Sequence, residues 1–216
     1  EDDVEMRRLH ITNHSRKRRT IEITSYAEVV LSPPVADAMH PAFSNLFVQT
    51  EIIDARHAIL CTRRPRSVEE QPPWMFHLMK VHEGNVQGIS YETSRDYFIG
   101  RGNNISDPAV MHDPAALSGR QGSVLDPVVS IQYRITMNPL ESVTIDMVFG
   151  IAPARDACTS LIDKYQDRYM IDRAFELAWT HSQVVLRQIN AVESDSQLYG
   201  RLAGSVIFAS ASFNSA

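Results

Sequence analysis

The sequence predicts a mainly β, antiparallel fold closed by C-terminal helices, and three observations carry that reading. Two late runs alternate apolar and polar residues: Val129, Ile131, Tyr133, Ile135 and Met137, then Val143, Ile145, Met147 and Phe149. This is the period of strands with one buried face. After Pro153 the apolar period changes to that of a helix. The predicted strands are separated by long connections rich in proline and glycine, which in a compact domain tend to be functional or to cover something.

Each element follows in order. The run VEMRRLHIT places Val4, Met6, Arg8, His10 and Thr12 on one face of a first strand. Residues 20–31 alternate more clearly, with Ile21, Ile23, Ser25, Ala27 and Val29 together. The polar stretch NHSRKRR between these runs predicts a hairpin. Strands are expected at 46–53 and 58–62, around a tight turn at Asp54-Ala55-Arg56, and at 75–82. Asn138-Pro139-Leu140-Glu141 should join the two late strands as a second hairpin. Residues 32–45, 65–73 and 100–126 read as loops. Three helical stripes close the chain: Ala157, Leu161, Ile162 and Tyr165; then Ile171, Ala174, Phe175, Ala178, Val185 and Ile189; then Leu198, Leu202, Val206 and Ala209. Ser194 and Gln197 have the spacing of a capping box for the last of them.

Bulk properties narrow the partners. The chain of 216 residues is 44% hydrophobic and carries a net charge of −5. An acidic chain gains nothing overall from a phosphate backbone or an anionic membrane, so no nucleic-acid partner is expected. Two well-separated cysteines, Cys61 and Cys158, make no disulfide framework. No apolar run is long enough to span a bilayer, and no apolar signal segment opens the chain.

The candidate chemistry is sparse. His77 and His82 with Glu83 fall on opposite faces of one strand, which does not build a metal site; no metal and no cofactor are expected. Arg16-Lys17-Arg18-Arg19 sits at a predicted turn without interleaved aromatics and reads as a solvated turn. Gly100-Arg101-Gly102 lacks the third glycine of a dinucleotide loop, and no serine has a nucleophile-elbow context. Cys61 reads as a core residue. What remains is Glu92, Arg95, Asp96 and Arg101 around Tyr97-Phe98. Rings stack on apolar sugar faces, carboxylates and guanidinium groups hydrogen-bond hydroxyls, and arginine can hold a phosphate in a fork. Arg95, Asp96, Tyr97 and Arg101 are therefore the candidate substrate-binding residues, against a competing reading in which Arg95 and Asp96 form a structural ion pair.

Several blocks carry a family resemblance. They are Leu9-His10-Ile11-Thr12-Asn13, Glu22-Ile23-Thr24-Ser25-Tyr26-Ala27-Glu28-Val29-Val30-Leu31, Ala38-Met39-His40-Pro41-Ala42-Phe43-Ser44-Asn45-Leu46-Phe47, Glu92-Thr93-Ser94-Arg95-Asp96-Tyr97-Phe98-Ile99-Gly100-Arg101-Gly102, Leu117-Ser118-Gly119, Val124-Leu125-Asp126-Pro127 and Arg173-Ala174-Phe175-Glu176-Leu177-Ala178-Trp179. In this order they resemble cyclic β-1,2-glucan synthases, in the region related to cellobiose and chitobiose phosphorylases of glycoside hydrolase family 94.

The resemblance implies a large antiparallel β-sandwich (a supersandwich) over 1–153. It implies linker helices over 154–216 that lead to an (α/α)6 barrel holding the catalytic acid. It implies inverting phosphorolysis, in which phosphate stands where an inverting hydrolase activates water, so that a single carboxylic acid suffices. No residue here matches the catalytic motif. The implied partners are β-1,2-glucan and phosphate in the parent enzyme and the barrel of the same polypeptide, with a homodimer through the last helix as an alternative. The implied location is the cytoplasmic face of a bacterial inner membrane. A stand-alone carbohydrate-binding module and a sugar epimerase on a related sandwich are the rival readings; the second needs a convergent acid and base, and no His and Glu pair fills that role.

Overall fold

The computed structural model describes residues 2–65, 67–113 and 115–207. Its chain divides into two units, Glu1–Arg168 and Tyr169–Ala216.

The first unit is a two-sheet sandwich. The larger sheet is antiparallel, in the order β1 (Val4–Thr12), β9 (Ser142–Ala152), β6 (Trp74–His82), β5 (Ala58–Arg63) and β4 (Val48–Ile53). The smaller sheet is built on β8 (Pro127–Met137). One side of β8 pairs with β7 (Asn85–Ser94), and β2 (Arg19–Thr24) and β3 (Ala27–Glu28) also pair antiparallel to it. Thr24 opposes Gln132 and Ala27 opposes Val129, so β2 and β3 are one strand broken at Ser25 and Tyr26.

Neither expected hairpin forms. β1 pairs with β9 while β2 pairs with β8, and β8 and β9 lie in different sheets. Residues 13–18 and 138–141 are arches that carry the chain from one sheet to the other. A third arch, Glu83-Gly84, joins β6 to β7. Thus β1, β9 and β6 lie side by side in one sheet, and their chain neighbours β2, β8 and β7 lie side by side in the other. Alternation shows which face of a strand is buried but not which strand lies beside it. Here the partners that are adjacent in sequence stack rather than pair. Gly84 has φ +96, and a Cβ there would press on Val143, so the arch takes glycine.

The core between the sheets is the one the alternation predicts. Ile131, Tyr133, Ile135 and Met137 from β8 meet Ile59, Cys61, Met79, Val143 and Ile145 from the larger sheet. Two polar bolts cross it. The Tyr133 hydroxyl donates to the Met79 carbonyl at 2.7 Å. Since that proton is committed, His57 Nδ1–H donates to the same hydroxyl oxygen, also at 2.7 Å. Ser25 Oγ, in the strand break, lies 2.8 Å from His77 Nε2, and the His77 ring stacks on Phe149 at 4.2 Å.

The outer face of the larger sheet is apolar and is covered by α4 (Arg155–Tyr165), whose Cys158, Ile162 and Tyr165 are buried. Beneath lie Leu60, Phe76, Leu78 and Val148, all inaccessible to solvent. Gly150 fits here for steric reasons, because a Cβ would collide with the Phe76 ring and Val4. The outer face of the smaller sheet is a polar ladder instead: Thr20 with Thr136, Glu22 with Arg134, and Gln132 with both Thr24 and Ser90.

Three further expectations are corrected. Residues 32–45 contain two short helices, α1 (Pro34–Met39) and α2 (Pro41–Asn45). Each opens on proline, whose fixed φ suits the first helical position. Strand β7 was not expected, because a bulge between Val86 and Gly88 breaks its alternation. In the second unit, α6 (Glu193–Ile207) follows α5 (Arg168–Gln188). The Val192 N–H donates to Asp195 at 2.9 Å, so half of a capping box sits two residues earlier than Ser194, which lies inside the first turn. Ala209 of the expected stripe lies outside the described residues.

Candidate functional site

Strand β7 feeds directly into α3 (Arg95–Ile99), and this short helix sorts the expected cluster. Phe98 is buried against Tyr26, with ring centroids 4.7 Å apart. That contact ties α3 to the break between β2 and β3. Arg95 and Tyr97 lie two residues apart on a helix and so diverge. They serve two different surroundings.

Arg95 enters a cleft of about 640 Å³ lined by Glu28, Pro41, Ala42, Phe43, Asn45, Leu46, Leu125 and Asp126. Its Nε donates to Glu28 at 3.1 Å, its Nη1 lies 3.6 Å from Asp126, and its backbone N–H donates to the Asp126 carbonyl at 2.8 Å. The Asn45 amide donates to Asp126 at 2.9 Å, and the Tyr26 hydroxyl donates to Glu28 at 3.1 Å. Burial raises the Asp126 pKa; Arg95 opposes the rise, and Glu28 and Asp96 add to it. Burial, then the Glu28 charge, push the Tyr26 phenol up to about 12. Phe43 and Leu125 are mostly exposed at the rim. The cleft thus offers a guanidinium between two carboxylates, an amide, and an apolar wall.

Tyr97 faces the other way and is exposed, with the Arg120 guanidinium over its ring. Arg120 donates to Ser118 Oγ, and Ser118 donates to Glu92. Glu92 is buried and also accepts the N–H groups of Thr93 and Ser94 at 3.0 Å each. Glu92 therefore anchors a strap rather than facing the cleft. This strap, residues 117–122, closes the open side of the sandwich. Gly119 N–H bonds β7 at Tyr91 O (2.8 Å), and Gly122 exchanges two backbone hydrogen bonds with Thr50 of β4 at 2.9 and 2.8 Å.

Of the four nominated residues, the structure thus brings Arg95 into the cleft and places Tyr97 beside it on the far side of α3. Asp96 and Arg101 are exposed. No hydrogen bond or ion pair holds the Arg101 side chain among the described residues. The expected ion pair between Arg95 and Asp96 is replaced by pairs to Glu28 and Asp126. The sequence reading did not nominate Glu28, Asn45 and Asp126 as site residues, although each lies in one of the blocks that carry the resemblance. Four such blocks meet at this cleft. His77 is enclosed in the core, and His82 Nε2 lies on the outer side, 3.0 Å from Asp146. Among the described residues no group of three or more metal-ligating side chains is gathered. No described helix is long and apolar enough to cross a membrane.

Comparison with known proteins gives two findings. The chain is 33% identical over 204 residues to the cyclic beta-(1,2)-glucan synthase NdvB of Rhizobium meliloti (strain 1021). The match covers 93% of this chain but only 7% of that protein. Residues 1–168 match the family described as glycosyl hydrolase 94, supersandwich domain, the same residues that the structure sets apart as its first unit. The chain belongs to the glycosyl hydrolase 94 supersandwich family.

Proposed function

We propose that this chain is the sandwich and linker of a glycoside-phosphorylase-like region in a cyclic β-1,2-glucan synthase. In this reading the sandwich spans 1–153, the linker helices span 154–216, and an (α/α)6 barrel elsewhere in the polypeptide supplies the catalytic acid and most of the phosphate contacts. The sandwich itself is not catalytic. It supports the barrel and contacts glucan through the loop end that carries Arg95, Asp96, Tyr97 and Arg101. The parent sits at the cytoplasmic face of an inner membrane.

One observation carries the glucan contact: the cleft where Glu28, Asn45, Arg95 and Asp126 converge beside Phe43. Sugar hydroxyls take hydrogen bonds from guanidinium and amide groups and give them to carboxylates, while a ring or alkyl wall accepts the apolar sugar face. Both carboxylates face the same guanidinium, which suits holding hydroxyls better than moving a proton between an acid and a base.

The test uses Arg101→Ala in a full-length synthase carrying this domain. Its side chain holds nothing in the fold, so the melting temperature should not move while glucan phosphorolysis falls. Unchanged turnover with a lowered melting temperature would assign Arg101 to structure. The isolated chain should release no glucose 1-phosphate from β-1,2-glucan and phosphate; release would overturn the non-catalytic reading. Micromolar glucan binding by the isolated chain would favour a carbohydrate-binding module.

A further inference from the structure

We propose that the arched end of the sandwich is an anionic-lipid contact, made by Arg16, Lys17, Arg18 and Arg19 together with Leu140. The two arches form one tip. Leu140 N–H donates to the Asn13 carbonyl at 2.8 Å, and Asn13 N–H donates to the Glu141 carbonyl at 2.9 Å. The Asn13 side chain is buried beneath them and donates to the carbonyls of Lys17, Met137 and Asn138 at 2.9–3.1 Å. Both arches are thus held rigid from inside, and what they present outward is set.

The basic side chains of the first arch, Arg16, Lys17 and Arg18, are exposed, as is Arg19 at the head of β2, and none of the four has an acidic partner among the described residues. Glu141, the acidic residue of the second arch, is held by the Asn138 N–H at 2.6 Å. Glu83 of the third arch is paired with Arg168 at 2.7 Å. The tip is therefore cationic on a chain whose net charge is −5.

Leu140 is the second, independent observation. It stands third in a turn closed by Glu141 N–H to Asn138 O at 3.2 Å, with proline second, and has φ +63. That position ordinarily takes glycine or asparagine, and a bulky residue there is strained. Its side chain is 77% exposed, so the core does not explain it. A strained aliphatic group among cations fits a bilayer surface, where the charges meet anionic headgroups and the alkyl group enters the boundary between headgroup and acyl chain. A nucleic acid would use the same charges but has no use for the leucine, and the arches carry no Phe, Tyr or Trp to stack on bases, only the imidazole of His14.

The test is co-sedimentation of the 216-residue chain with vesicles of phosphatidylcholine containing about one-third phosphatidylglycerol. Binding should appear at about 50 mM salt and vanish at about 500 mM. It should be absent from pure phosphatidylcholine. Each basic residue near the surface contributes about fivefold to partitioning, so a double variant, Arg16→Glu with Arg18→Glu, should lose at least about 25-fold. Leu140→Gly is the decisive variant. It relieves the backbone strain, so the melting temperature should hold or rise while vesicle binding falls. No binding at low salt, or binding that survives charge reversal, would overturn the proposal. So would equal affinity for an oligonucleotide together with indifference to Leu140→Gly, which would mark the tip as a general polyanion patch.

Discussion

The two ends of the sandwich are built on opposite plans. At one end, arches of two to six residues carry the chain from sheet to sheet, tied together by the buried Asn13. At the other, residues 29–47, 67–73, 95–113 and 115–126 spread into short helices, a cleft and a strap. The buried Asn13 at the arched end satisfies backbone carbonyls, whereas Arg95, Glu28 and Asp126 in the loop-end cleft pair with one another and stay partly exposed. A group that satisfies buried backbone is hard to remove, while a half-exposed ion pair contributes little to stability. Stability is thus expected to reside at the arches and in the core, and recognition at the loops.

Acid gives the largest expected effect and shows whether the two ends share one cooperative unit. His77 lies in the core between them, and burial lowers its pKa to about 4 from an ordinary 6.5. Between those values the unfolded chain binds a proton that the folded chain does not. Stability should therefore fall as pH drops through about 6.5, with a loss on the order of 3 kcal/mol complete near pH 4. Urea midpoints measured across that range should flatten in His77→Gln, leaving the smaller slope from His57 and His82, whose pKa values burial also lowers. Spectroscopic reporters at the two ends should lose signal together; separate transitions would show that the ends are independent.

A paired substitution tests the comparison directly. Asn13→Ala takes the side-chain donor from the Met137 and Asn138 carbonyls, while Lys17 O keeps the Ser15 hydroxyl, and should cost about 2–3 kcal/mol. Arg95→Ala removes partly exposed pairs and should cost less than about 1 kcal/mol while weakening glucan contact in the parent enzyme. Denaturation curves that reversed this order would place the structural weight at the loop end.

The smallest effect concerns the helical unit. Among described residues α5 has Ile171 and Leu186 buried, whereas α6 has none. Amide exchange should be faster in residues 198–207 than in 171–189, unless α6 self-associates with concentration. Strong protection of α6 in a monomer would show the helices to be self-sufficient.

How much of this was legible follows from the range of each signal. Alternation placed β1, β4, β5, β6, β8 and β9 within a few residues, because side-chain period is a local property. Strand β7 escaped because the bulge at Val86 and Gly88 breaks its period. The candidate cluster at 92–101 does not stay together in the fold. Arg95 reaches a cleft, but its partners come from residues 28, 45 and 126, and no local spacing connects them.

The sequence by itself determined the β-to-helix order, the faces of the strands, the core residues from Ile131 to Met137 and the family. Only the tertiary structure decided that NHSRKRR and Asn138-Pro139-Leu140-Glu141 are arches rather than hairpins, and that Glu92 anchors a strap while Arg95 faces a cleft. The physical reason is that alternation is dictated by one buried face, which each strand carries in its own residues. The choice between pairing with the next strand and stacking on it depends on which arrangement buries both faces of β8 and β9 best, and that is a property of the whole sandwich.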